Sequence, residues 1–182
     1  MNRSIWTAML SLPALTVMAT PAYAVDYLNV EQAQRAVIPN ATSFAAYPVS
    51  LSSAQLKQIK SIAHVPQRTD KPSVWKAIAG GKQVGWVIVD EVIGKHEMIT
   101  YATGISMDGH VLGVEIMSYR ESKGSQVRNA KWRNLFRGKS VSDPFKLNKD
   151  IPNISGATLS CRNITDGVKR LLALHQVALA KP

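Results

Sequence analysis

VWKAIAGGKQVGWVIVDEV at residues 74–92 and MITYATGISMDGHVLGVEIM at residues 98–117 decide the fold. Both stretches are rich in Val, Ile, Thr and aromatic residues, the types that fit a pleated, half-buried surface. Gly80-Gly81 interrupts the first and Met107-Asp108-Gly109 the second, and each is a tight-turn signal between two apolar runs. Four strands follow, over Val74–Ala79, Trp86–Val92, Met98–Ile105 and Val111–Met117. Short connections between consecutive strands require antiparallel pairing. Gly85, Gly104 and Gly113 lie inside these strands, as bulges or as points where something approaches the backbone closely.

Helical spacing appears on both sides of this block. C-terminally, Val127, Ala130, Trp132, Leu135 and Phe136 predict an amphipathic helix over Ser125–Arg137, stopped by Gly138. From about Ser160 onward Ile164, Val168, Leu171, Leu172, His175 and Leu179 recur at the helical period, with His175 packed among apolar neighbours. N-terminally, Val30, Ala33 and Val37 share a face over Asn29–Val37. Ser52 and Gln55 form a capping box ahead of Leu56, Ile59, Ile62 and Ala63. Pro66 and Pro72 close that region, so residues 25–72 are expected as an N-terminal helical segment of two short helices and loops. The fold class is α+β: an antiparallel sheet of about four or more strands packed with helices, with an amphipathic helix at the C-terminus.

Residues 1–24 have a different character. Arg3 is their one charge, an apolar run follows from Ile5 to about Ala19, and Ala22-Tyr23-Ala24 supplies small residues for cleavage. This is the pattern of a secretory signal peptide cut before Val25, against the alternative of an uncleaved anchor, and it predicts a periplasmic protein.

The 182 residues carry 22 Lys and Arg against 12 Asp and Glu, a formal charge of +10. Export argues against a nucleic-acid role for that charge and favours acidic protein partners or an anionic envelope surface. Seven of the basic residues fall between Arg120 and Lys139, where Glu121 is the one acid, either a solvated helix face or a docking patch. A single cysteine, Cys161, excludes an intrachain disulfide, and four scattered histidines have no metal-ligand spacing.

SGATLS at residues 155–160 carries the chemistry. Small residues and hydroxyls directly precede a helix, whose start presents unpaired N–H groups and about half a positive charge. Such an end suits phosphate, although Ser and Gly are also the usual residues of a plain capped turn. Gly156 would let the backbone approach a ligand, Ser160 would cap the helix, and Arg162 would add a cation one turn in.

The segment Ser155-Gly156-Ala157-Thr158-Leu159-Ser160 followed by an amphipathic helix resembles the flavinylation motif of the FMN-binding domain family. That family includes flavin subunits of the sodium-translocating quinone reductase and Rnf electron-transport complexes. Upstream, Ile105–Val114 is similar to the family's strand–Asp-Gly turn–strand. Tyr119–Gly124 is similar to its Glu-(Thr/Ser)-x-Gly loop, and Leu135–Lys139 to its Phe-x-Gly-Lys segment. The resemblance spans roughly residues 84–174. It implies an FMN-binding domain over residues 73–182, with FMN joined by a phosphoester to Thr158 through a dedicated flavin transferase. Ser155, Gly156, Ala157, Leu159 and Ser160 would cradle the cofactor, and Glu121 and Tyr119 are candidate ring or ribityl contacts. Trp75, Trp86 and Trp132 are core residues unless one stacks on the flavin. The chain departs from the family at Pro152, where an Asp usually stands six residues before the Thr, and Asp150 is the nearest substitute.

The implied function is a periplasmic electron-transfer flavoprotein serving membrane or periplasmic redox partners. No nucleophile–base pair is visible, which favours a carrier over an enzyme. The alternatives are a flavin-dependent reductase of an exported small molecule or metal chelate, and a non-catalytic binding or sensory module.

Overall fold

A computed structural model describes residues 25–180, so the expected signal peptide lies outside the described residues. Its centre is a six-stranded sheet in the order β1-β6-β5-β4-β3-β2, every neighbouring pair antiparallel. The strands are β1 (Val25–Asp26), β2 (Ser43–Ala46), β3 (Ser73–Ala79), β4 (Lys82–Ile93), β5 (Met98–Ser106) and β6 (Val111–Tyr119). The last four coincide with the expected strands. Gly80 and Gly81 both adopt positive φ in the β3–β4 hairpin, and Gly109 does so between β5 and β6, a conformation glycine reaches without steric cost.

The first third contributes more than helices. β1 and β2 form the two edges of the sheet, so residues 25–72 join the same sheet as the rest. The helices there are α1 (Val30–Val37) and α2 (Ser53–Ala63), each opened by a complete capping box, Asn29 with Gln32 and Ser52 with Gln55. α1 lies on one face of the sheet and buries Ala33, Gln34 and Val37, whereas Val30 stays exposed. Its C-terminal end rests on two glycines paired across β5 and β6. A Cβ at Gly104 would come within 2.9 Å of the Val37 carbonyl oxygen, and one at Gly113 within 3.0 Å. Close approach therefore explains both glycines. The ladder also shifts register between Gly104 and Ile105.

The opposite face carries the main core under α2 and α4 (Thr158–Leu174). α4 buries Ile164, Val168, Leu171 and Leu172 against β4 and β5, about 1.5–3 kcal/mol for each large side chain. Within this apolar contact sits a polar tie. Arg170 is ion-paired to Asp90, and the Tyr101 hydroxyl donates to the same carboxylate at 3.0 Å. Burial, then the Asp90 charge, pushes the Tyr101 phenol well above its ordinary value. Gly167 is required here, because a Cβ would collide with the Tyr101 hydroxyl. The helix ends in a π-type turn over His175–Leu179, with His175 buried as expected.

The helix expected over Ser125–Arg137 is broken. A 3₁₀ turn over Ser125–Arg128, a single α turn α3 (Ala130–Arg133) and a second 3₁₀ turn over Asn134–Phe136 replace it. Asn129 causes the break: its backbone is extended and its side chain accepts from the Lys131 N–H, restarting the helix. Val127, Trp132 and Phe136 still reach the core, and Gly138 stops the segment at positive φ.

Candidate functional site

The stretch 155–160 forms the sharp entry to α4. Gly156 has φ of 79°, and an added Cβ would meet nothing within 4 Å. Backbone conformation, not crowding, therefore demands glycine in this turn. The Ala157 N–H closes the turn on the Ile154 carbonyl at 2.9 Å, and Ala157 itself is the residue capping α4. Alanine offers no side-chain acceptor. The expected cap, Ser160, is instead the third residue of the helix and buried. The N–H groups of Thr158, Leu159 and Ser160 thus begin the helix without intrahelical acceptors.

Thr158 is the first helical residue, and its hydroxyl is exposed. Asn153 Nδ2 donates to Thr158 Oγ1 at 3.0 Å. The carbonyl of Pro152, just before it, accepts from Trp132 Nε1 at 2.9 Å. Asp150 does not reach this position. Its carboxylate accepts from the N–H groups of Phe145 and Lys146 and from Lys139 Nζ, holding its own loop.

Facing the helix start is the Glu121–Gly124 loop. A cavity of about 430 Å³ lies between them, lined by Lys95, His96, Glu121, Ser122 and Lys123 on one side and residues 156–160 on the other. Of the eight site residues expected from sequence, Glu121, Gly156, Ala157, Thr158, Leu159 and Ser160 line it, while Ser155 and Tyr119 do not. Tyr119 acts from behind. Its hydroxyl donates to the Lys123 carbonyl at 2.6 Å and lies 3.2 Å from Ser160 Oγ, tying loop to helix. Burial raises the Tyr119 phenol pKa, partly offset by the Ser160 contact. Gly124, at φ of 87°, completes the joint, because a Cβ there would strike Ala157 and the Tyr119 hydroxyl.

Glu121 has a structural task. Its Oε1 accepts from the His96 N–H at 2.6 Å and the Glu97 N–H at 3.0 Å, clamping the β4–β5 turn against the cavity wall. Partial burial raises the carboxyl, but these N–H groups, with that of Lys95, hold it below the usual carboxylate range. Gly94 leaves the space the carboxylate occupies. Lys95, His96 and Lys123 surround this single acid, so the cavity favours an anion. The β4–β5 turn had no signal of its own in the sequence, since its part depends on a partner 24 and 25 residues away.

Other candidates lie elsewhere. Arg162 lines a separate cleft with Phe145, Lys146 and Asp166. Trp86 and Trp132 are core residues, Trp75 is half-buried, and none of the three lines the cavity. Cys161 is buried, and burial raises its thiol pKa, which makes it a packing residue. Four cations of the basic segment have intramolecular partners: Arg120 with Asp26, Arg128 over the Tyr27 ring, Arg133 with Glu115 and Lys139 with Asp150. Among the described residues no helix is long and apolar enough to cross a membrane.

The cavity meets the requirements of a phosphorylated aromatic cofactor such as FMN. Its volume falls in the range of small-molecule sites, about 300–1,000 Å³. Uncapped N–H groups at the helix start suit a phosphate, Lys95 and Lys123 supply positive charge, and Leu159, 42% exposed, offers an apolar surface.

Comparison with known proteins agrees. Residues 94–173 match the model of the FMN-binding domain, a span that contains both walls of the cavity. The chain is 26% identical over 176 residues to one subunit of the Na(+)-translocating ferredoxin:NAD(+) oxidoreductase complex of Acetobacterium woodii, covering 90% of this chain and 83% of the relative. It is 29% identical over 104 residues to one subunit of the ion-translocating oxidoreductase complex of Vibrio atlanticus, covering 49% of this chain and 50% of that protein. Among solved structures, NqrC of Shewanella oneidensis is similar at a TM-score of 0.49 and 20% identity, over 75% of this chain and 67% of that one.

Proposed function

We propose that this chain, whose residues 94–173 belong to the FMN-binding domain family, is a periplasmic electron-transfer flavoprotein carrying FMN in a phosphoester to Thr158. One observation carries the reading: an exposed threonine hydroxyl stands at the first position of an uncapped helix and borders a cationic cavity. The N–H groups of Leu159 and Ser160 would hold the phosphate, with Lys95 and Lys123 balancing its charge. Leu159 and the Glu121–Lys123 loop would flank the ring. Bound FMN supplies reversible one- and two-electron chemistry, which belongs to the cofactor. The protein binds it, orients it and keeps it from diffusing away after export.

The chain's own residues support a carrier over a self-contained enzyme. Glu121 is occupied by backbone donors and Tyr119 by Lys123 and Ser160, so neither is free as an acid–base group. The relatives are named as parts of ion-translocating oxidoreductase complexes, which supports redox partners in a membrane-associated assembly. The signal-like residues 1–24 support export, and a flavin transferase would install the cofactor. Intact mass and visible spectrum of the exported protein, made with a flavin transferase, test the proposal. The expected result is a mature N-terminus at Val25 and a mass increment of one FMN less one water. Yellow colour should survive denaturation. Colourless wild-type protein of unmodified mass would overturn it.

A further inference from the structure

We propose that Asn153 is the positioning residue for the Thr158 oxygen, serving it both before and after the cofactor is attached; this rests on the attachment proposed above. Three observations carry it. Asn153 Nδ2 lies 3.0 Å from Thr158 Oγ1. The other end of the same amide, Oδ1, is buried and has no hydrogen-bond partner among the described residues. The backbone around it is pinned, with the Pro152 carbonyl held by Trp132 Nε1 at 2.9 Å and the Ile154 carbonyl held by the Ala157 N–H at 2.9 Å.

An amide has a donor end and an acceptor end of nearly the same shape. With the amide turned over, a free threonine hydroxyl can donate its proton to Oδ1, which turns an oxygen lone pair outward. Once esterified, the same oxygen has no proton and can only accept, and Nδ2 then donates to it. Because Oδ1 has no second anchor, the amide is free to turn between the two arrangements. A carboxylate serves the hydroxyl but repels the phosphate, and an aliphatic side chain serves neither. In the attachment step the Oγ1–P bond forms on a phosphoanhydride of FMN. The P–O bond to its leaving group breaks with its electron pair, and the hydroxyl proton passes to a base on the transferase. Asn153 takes no proton and only holds the nucleophile.

The test uses the purified, unlabelled mature protein with a flavin transferase and FAD as the phosphoanhydride. Asn153→Leu is expected to acquire the FMN mass about tenfold more slowly than wild type, the factor for one lost neutral hydrogen bond. Asn153→Asp should label within about threefold of wild type, since its carboxylate still accepts from the hydroxyl. Its attached phosphate should nevertheless give a shifted ³¹P resonance, which a role in folding or transferase recognition would not produce. Labelling of Asn153→Leu at the wild-type rate would overturn the proposal while leaving the attachment intact. So would an unshifted ³¹P resonance in Asn153→Asp, and that variant carries the test alone if Asn153→Leu fails to fold. A wild type that never labels overturns the attachment and this inference with it.

Discussion

The starts of α2 and α4 solve the same problem in opposite ways. At α2, Ser52 accepts from the Gln55 N–H and the Gln55 side chain accepts from the Ser52 N–H, so polar groups at the helix end are answered within the helix itself. At α4 the capping residue is Ala157, with no side chain to offer, and the open end borders the cationic cavity. α1 follows the first pattern, with Asn29 and Gln32. A capped end stabilises the fold, by about 1 kcal/mol for a good side-chain cap. An uncapped one forgoes that contribution and keeps its donors available for a ligand. The difference separates helices that hold the molecule together from the one whose start is proposed to hold the cofactor.

The largest effect expected of any change to this contrast is at Thr158. Thr158→Ala should abolish covalent flavin, read by intact mass, while removing one exposed hydrogen bond worth about 0.5–1.5 kcal/mol. Thr158→Ser should retain labelling. A labelled Thr158→Ala protein would place the linkage elsewhere and break the contrast. Next comes the joint behind the open end. Gly124→Ala adds strain at φ of 87° and a clash with Ala157, and should lower stability by about 2–4 kcal/mol in denaturant titration. It should also reduce flavin loading, because the loop and the helix start share that contact.

Ser52→Ala sharpens the comparison from the other side. It should cost about 1 kcal/mol in chemical denaturation with labelling at the wild-type level. Impaired labelling would mean the capped end is not purely structural. The smallest effect concerns the far end of α4. Burial lowers the His175 pKa, and nearby Asp108 opposes the shift only in part. The unfolded chain therefore binds the proton more readily. The stability contribution is complete above the unfolded value of about 6.5 and declines as pH falls toward the lower folded value. Thermal melts of wild type and His175→Gln should converge as the medium is acidified. Parallel pH profiles for the two would remove His175 from the balance.

Much of the architecture was legible because its signals are local. Gly80-Gly81 and Asp108-Gly109 mark turns, Ser52 and Gln55 mark a helix start, and the apolar spacing after Ser160 marks α4. The edge strands β1 and β2 escaped because two and four residues are too few to show a period, and most of the β2 side chains are exposed. The segment 125–137 misled because Val127 with Ala130, and Trp132 with Leu135 and Phe136, keep intervals of three and four although Asn129 restarts the chain between Val127 and Ala130. At the site, the place of Thr158 at the start of α4 was legible from the motif. The role of Asn153 was not, since an asparagine beside a proline looks like any loop. Ser160 was misassigned for a related reason. A serine near a helix start is usually its cap, and only the position of Tyr119 across the cavity wall shows that it faces inward.

The glycine pair under α1 bears on the order in which the molecule assembles. Eight residues make a helix too short to persist alone in water, even with a complete capping box. α1 gains its support where the Val37 carbonyl settles onto Gly104 and Gly113, which lie side by side only once β5 and β6 are paired in register. A slip of one residue would put a side chain under the carbonyl and deny the helix its seat. Docking of α1 must then follow the β5–β6 hairpin in time. In pulsed hydrogen exchange during refolding, the amides of residues 34–37 would become protected after those of the hairpin, making this helix a clock for the sheet beneath it.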